Sequence, residues 1–402
     1  MHFVYYFNLK DVINIDNFYD FLEIYLKENR ILKKDFFKKT GISANSYRFF
    51  LKNKEKNKYY YYEIISREYN LFIPDDEILE QLSRSFSKII EDILYMRIEK
   101  KEEDMLLIEQ NLTLMNENVN NVSSMAGLAF KALKFYLDIS FTPYSIPTVA
   151  GLFKNFYKIA KPYKDLFVGE YRLFLLIIKM YGDSILNHTI NKAEIEEATA
   201  LSVRYLFVQP LLNKIISDAY YYCGDYMNAT IYGMKSYNGF VEVSNFQRAI
   251  YVKINMAYSL ILLGSYYNAY DVLFSLYLAY DSYNTKYKRS ILRGIIECLI
   301  LLDKYCEAYD FIIENKDVIT QDEWKIEYLI ILYKLNKKEE YNLLFDDIKK
   351  QYKNKDFYEL YYQLVLEINN LCNGVRVSKQ TDAILSKLHN LTFIKICKKI
   401  FS

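Results

Sequence analysis

INMAYSLILLGSYYNAYDVL, residues 254–273, is the stretch that decides the fold. An apolar helical run ends at Gly264, a turn follows, and Tyr266 opens a second helical run that carries the small residue Ala269 in its first turn. The pattern recurs on both sides. ISDAYYYCGDYMNATIYGM (216–234) aligns Tyr226 and Ala229 with Tyr266 and Ala269, and IIECLILLDKYCEAYDFII (295–313) aligns Tyr305 and Ala308, at offsets of 40 and 39 residues. A weaker fourth copy, YLIILYKLNKKEEYNLLFDDI (328–348), follows about 33 residues on. Such self-similarity implies helical pairs that cannot bury their apolar faces alone and therefore stack.

The rest of the composition agrees. Only 11 Gly and 5 Pro in 402 residues leave few breakers, so long helices with short loops are expected. Hydrophobic content of 52% with 25% charge describes a folded globular chain. The five cysteines (223, 298, 306, 372, 397) have no C-x-x-C spacing and sit in apolar helical text, which suits buried, reduced thiols. The N-terminus lacks the pattern of a signal peptide, and no apolar run is long enough to span a bilayer. A cytoplasmic protein with no membrane contact is expected.

A second informative stretch is LKKDFFKKTGISANSYRFFLKNK, Leu32 to Lys54. It predicts two short helices, marked by Phe36 and Phe37 in the first and by Tyr47, Phe50 and Leu51 in the second. Gly41 stands where the turn needs positive φ, and Ser43 is placed to cap the second helix. Net charge over the whole chain is only +2, yet between Arg30 and Lys58 ten basic residues face two acids. That local +8 leaves −6 on the remainder. A basic patch coinciding with such a helical pair is the electrostatic footprint of nucleic-acid binding. Before it, Asp16 to Asn29 carries Phe18, Phe21, Leu22, Tyr25 and Leu26 at amphipathic spacing and predicts a bracing helix. After it, Lys58 to Asn70 predicts a closing helix, and Pro74-Asp75-Asp76 a new helix start.

These observations predict an all-α chain with an N-terminal helix-turn-helix domain (1–73), a linker helix (74–104), and a right-handed helical-repeat superhelix (105–402). The repeats resemble the tetratricopeptide repeat, in which Gly, Tyr and Ala hold the places seen here. Leu32 to Ser43 resembles the phage-repressor class of helix-turn-helix domains, departing from it at Phe37, where a small residue is usual. Head and body together resemble the peptide-sensing (RNPP-type) transcription regulators of Gram-positive bacteria and their phages, including the arbitrium receptors. The resemblance implies a homodimer that binds a double-stranded DNA operator and a short signalling peptide, and whose DNA affinity the peptide changes.

On that basis Ser43, Asn45, Ser46 and Arg48 approach base edges, since Asn pairs bidentately with adenine and Arg with guanine. Lys33, Lys34, Lys52 and Lys54, with Lys56 and Lys58 beyond, meet phosphates. For the peptide, helix-A register predicts Asn213, Lys214, Asp218 and Tyr221 in one repeat. It predicts Arg248, Tyr251, Asn255 and Tyr258 in the next, and Arg289, Arg293 and Glu297 in the third. Asn would hold an extended backbone through donor and acceptor together, and Arg would clamp a carboxylate. No catalytic or metal pattern emerges: the three His are scattered, and there is no Walker or dinucleotide fingerprint. An enzyme and a cofactor are therefore not expected. The rival expectation is a repeat-type interaction adaptor that does not bind DNA directly.

Overall fold

The computed structural model of the chain describes residues 15–52, 58–94, 100–118, 121–141, 146–279, 285–316, 324–352, 359–376, 378, 381–388 and 390–401. Every regular element among them is helical, so the fold is all-α. The chain divides into two compact units, Met1–Cys223 with Glu242–Asn245, and Gly224–Val241 with Phe246–Ser402.

The first unit begins with α1 (Ile15–Glu28), α2 (Lys33–Thr40), α3 (Ala44–Lys52) and α4 (Lys58–Tyr69). The expected stripe on α1 is real: Phe21, Leu22, Tyr25 and Leu26 are all buried, and Tyr19 joins them. Gly41 ends α2 in the left-handed conformation at φ 68°, with its N–H donating to the Phe37 carbonyl. Ser43 Oγ then accepts the Ser46 N–H at 3.0 Å and starts α3. Phe36, fully buried, stacks on Tyr69 at 5.5 Å and meets Tyr47 edge-on at 5.3 Å, tying α2, α3 and α4 together.

Asp75 Oδ1 accepts the Ile78 N–H at 2.9 Å, so the Pro74-Asp75-Asp76 break is the cap of α5 (Asp76–Leu94). Next come α6 (Lys101–Leu114) and α7 (Met125–Phe141), and α5 packs on both, with Phe86 edge-on to Phe130 at 5.6 Å. The unit continues through α8 (Ile146–Ala160), a 3₁₀ turn (Lys161–Leu166), α9 (Gly169–Asn187), α10 (Lys192–Ser202) and α11 (Gln209–Tyr222).

The entry to α7 is built around one carboxylate. Glu117 Oε1 accepts the backbone N–H groups of Ser123 and Ser124 at 2.6 and 2.5 Å, and its Oε2 accepts Lys131 Nζ at 2.6 Å. An anion here satisfies the N–H groups that open a helix. Gly127 makes room for it, because a Cβ there would lie 2.4 Å from Glu117 Cγ.

In the second unit the repeats appear as helical pairs. After α12 (Tyr226–Glu242), which stands alone in this unit, they are α13 (Phe246–Leu263) with α14 (Tyr266–Tyr277), α15 (Thr285–Leu301) with α16 (Tyr305–Glu314), and α17 (Lys325–Lys334) with α18 (Lys338–Tyr352). Tyr226, Tyr266 and Tyr305 each open a second helix, and Ala229, Ala269 and Ala308 are each completely buried one turn later. In α18 the corresponding place holds Tyr341, buried against Phe345, which explains why the fourth copy is weak in sequence. The chain then closes with α19 (Glu359–Cys372), α20 (Thr381–Leu385) and α21 (Leu391–Phe401).

The last helix caps the first helices of two pairs. Lys395 Nζ donates to the Leu262 carbonyl at 2.9 Å, and Lys399 Nζ to the Leu301 carbonyl at 2.7 Å. Cations at these ends satisfy carbonyls that have no partner within their own helix. The cysteines do not form one class. Cys298 and Cys397 are buried as expected, and burial raises both thiols; Cys223 is half-buried, while Cys306 and Cys372 are exposed.

Gly127→Ala should destabilise the first unit by about 1–3 kcal/mol, because the clashing carboxylate is held by the Ser123 and Ser124 N–H groups and by Lys131 and cannot swing aside. Urea unfolding checks this, and an unchanged midpoint would show that Glu117 has another place to go.

Candidate functional site

The expected functional residues fall into two sets. In the first, α2 and α3 present Lys34, Asn45 and Arg48 exposed. Ser43 is exposed and Ser46 half-buried, and their hydroxyls lie 2.8 Å apart, so both are engaged in starting α3. Lys33 is exposed but pairs with Glu23 at 3.0 Å, and it lies 5.6 Å from the Tyr47 ring centre. Glu23 also accepts the Tyr47 hydroxyl, which anchors α3 to α1. Burial and this carboxylate together raise the Tyr47 phenol, so it stays a donor. Phe49 stands out on α3, 59% exposed beside Arg48, and sequence reasoning gave it no role. Lys54 and Lys56 lie outside the described residues, as do the side chains of Lys52 and Lys58.

The second set is distributed over three helices. In the first unit α11 carries Asn213, Lys214, Asp218 and Tyr221, all half-buried. Lys214 and Asp218 form an ion pair one turn apart at 2.5 Å, so neither is an isolated charge.

In the second unit α13 and α15 pack against each other. On α13, Arg248 is buried with its guanidinium 5.9 Å from the Phe240 ring centre. Tyr251 faces Tyr287 of α15 at 6.4 Å, Asn255 is half-buried, and the Tyr258 hydroxyl donates to the Ser290 carbonyl at 3.0 Å. Tyr287, which sequence reasoning missed, therefore belongs with Tyr251. The residue has no repeat signal of its own, and only the packing of α13 on α15 brings the two rings together. Arg289 contributes a buried Nε that has no hydrogen-bond partner.

Arg293 differs from the expected open clamp. Its guanidinium donates to Glu297 at 3.1 Å and to Glu327 of α17 at 2.9 Å, and both carboxylates are buried. One cation thus faces two anions out of water. Burial pushes the Glu297 carboxyl up to about 7 despite Arg293, with the Glu327 charge adding to the rise. The two neighbouring carboxylates favour the Arg293 cation, and burial does not overcome them. A peptide carboxylate meeting this cluster would find its positive charge already matched. Arg289, on the same helix, keeps its buried Nε without a hydrogen bond.

No protein-family model and no curated protein sequence matches the chain. Among solved structures, the chain is similar to the apo form of RapI, with a TM-score of 0.52 and 14% identity over 81% of this chain and 96% of that one. The likeness places the chain in an all-α helical-repeat architecture. Among the described residues no helix is long and apolar enough to cross a membrane.

A carboxyl that the fold raises stabilises most at low pH, and here that contribution is lost as pH climbs from about 4.5 to about 7. Glu297→Gln, neutral throughout, should therefore flatten the unfolding free energy across that window relative to wild type. Parallel profiles from urea melts at each pH would refute the assignment.

Proposed function

We propose that the chain is a transcription regulator of the RNPP type, in which a short signalling peptide bound by the helical repeats controls the grip of the N-terminal head on DNA. One observation carries this reading. A helical pair with a left-handed Gly41 turn and a Ser43 cap presents Asn45 and Arg48 to solvent within a +8 stretch, on a chain whose fold resembles RapI. In the proposal residues 1–73 form the DNA-binding head, 74–104 link it, and 105–402 bind peptide and dimerise. Asn45 and Arg48 read base edges from the major groove, while Lys33, Lys34, Lys52 and Lys54 position the head on phosphates. Ser43 and Ser46 set the angle at which α3 enters.

The peptide side of the proposal rests on Arg248, Tyr251, Asn255 and Tyr258, with Asn213, Asp218 and Tyr221 as its counterpart on α11. Arg293 contributes by holding α15 against α17 through Glu327. Peptide binding changes DNA affinity only if it favours one arrangement of the repeats, since equal affinity shifts nothing. In a cytoplasmic homodimer that arrangement would set the spacing of two heads against half-sites a helical turn, or a multiple, apart. No cofactor or catalytic step enters.

The second reading is an interaction adaptor whose head docks a protein. Phe49 favours it, because a large exposed aromatic on α3 suits a protein surface.

The two readings separate cleanly. For a regulator, Asn45→Ala or Arg48→Ala should cost about 1–3 kcal/mol at one base pair in a mobility shift on the neighbouring promoter. Lys34→Ala should weaken all sequences alike and make the salt dependence shallower. Absence of any shift at low salt removes the DNA reading. If the Asn45/Arg48 double variant keeps full biological function while Phe49→Ala loses it, the adaptor stands.

A further inference from the structure

A cavity of about 1000 Å³ lies within the first unit, lined by none of the residues assigned above to DNA or peptide. Its walls come from the end of α1, from α6, α7 and α8, and from the 3₁₀ turn after α8. The volume lies at the upper end of the range typical of small-molecule sites. Its chemistry is mixed in a specific way. Phe135 and Phe156 stack nearly parallel at 5.2 Å, and Tyr163 is buried beside them, giving a wide apolar and aromatic surface.

The charges along it do not cancel. Lys131 is taken up by Glu117 at 2.6 Å, and Lys134 by Glu109 at 3.2 Å. Lys158 is exposed on α8. Against that one cation stand Asp138 on α7 and Glu28 at the end of α1, so the lining carries four acids and three bases, and among the described residues no ion pair or hydrogen bond closes on either of these two carboxylates. Burial raises the Asp138 carboxyl, although Lys101 and Lys134 pull the other way. A half-buried carboxylate with no cation in ion-pair contact among the described residues, set beside an aromatic wall, is the pairing that stabilises an ammonium with an apolar body.

We propose that this cavity is a binding site for a small organic cation of the arylalkyl-amine type. Its ammonium pairs with Asp138, and its ring lies against Phe135 and Phe156. Glu28 supplies the second negative charge at the α1 side. The site shares no residue with the proposed peptide set and the proposal does not depend on it. Because the cavity is bordered by Glu28 and Asn29, its occupancy bears on α1, the helix whose Glu23 holds Tyr47 of α3.

The test compares three probes with one apolar body, 4-phenylbutylamine, 4-phenylbutyrate and 4-phenylbutanol, on the full chain. Affinities come from saturation-transfer NMR titrations, and thermal melts report folding. The amine should bind at least tenfold more tightly than the carboxylate, with the alcohol between them. Asp138→Asn should bring the amine down to the level of the alcohol. Asn155→Trp, at an exposed lining position on α8, should obstruct part of the cavity and weaken all three at least tenfold. Should Asp138→Asn melt early, the probe ranking on wild type together with Asn155→Trp still decides. Equal binding of amine and carboxylate, an amine affinity indifferent to Asp138→Asn, or no binding by any probe would overturn the proposal.

Discussion

The close crossing at one small residue per repeat is the constraint on which the second unit depends. With Ala229, Ala269 and Ala308 fully buried at the same place, backbones approach where a larger side chain would hold them apart. That approach fixes which face each first helix turns to its neighbour, and so sets Tyr251 of α13 opposite Tyr287 of α15. The fourth pair breaks the rule with Tyr341 and compensates by stacking it on Phe345. A repeat array of this kind has no long-range core, so its open end needs a separate solution. Here α19 supplies it by packing on both helices of the last pair, α17 and α18, while Lys395 and Lys399 of α21 meet the carbonyl ends of α13 and α15.

Buried charge is the second organising theme, and the outcomes differ with the partners available. Glu117 is fully satisfied by backbone donors and Lys131, and it does structural work at the start of α7. Glu297 and Glu327 share a single guanidinium, and each keeps one buried oxygen without a hydrogen bond. At Asp104 burial, then the Asp92 charge, raises the carboxyl to about 7, and Lys88 and Lys100 do not offset them. Removing one partner of a buried pair costs about 3–5 kcal/mol, because the other charge is then stranded. Arg293 is therefore bound to its own core before any ligand arrives.

Much of this was legible in the chain because it is local. Gly41, Ser43 and the α1 stripe are read from neighbours within one or two turns, and the repeats announce themselves by period. The position of each candidate side chain on its helix follows from the same spacing. What escaped reading depends on contacts distant in sequence. Glu327 lies 34 residues beyond Arg293, and Lys395 lies 133 residues beyond the carbonyl it meets. No periodicity announces either. Tyr287 and the cavity escaped for the same reason, since each exists only once helices from separate segments are packed. A burial pattern shows that a position faces inward, but it does not name the opposite wall.

The position of α1 follows from this same packing, and it has a consequence for how the first unit would transmit a signal. One face of the helix buries Phe21, Leu22, Tyr25 and Leu26, and Phe21 meets Tyr163 of the 3₁₀ turn at 5.4 Å. Glu23 reaches instead to Tyr47 of α3 and Lys33 of α2, while Glu28 and Asn29 border the cavity. A single rigid helix of fourteen residues therefore touches the cavity with its last turn and the helical pair from its middle. Packed interiors do not deform continuously, so a change at one end of such an element is carried to the other as a shift of the whole. Within the first unit α1 therefore touches both the cavity and the helical pair, with no intermediate element needed to join them.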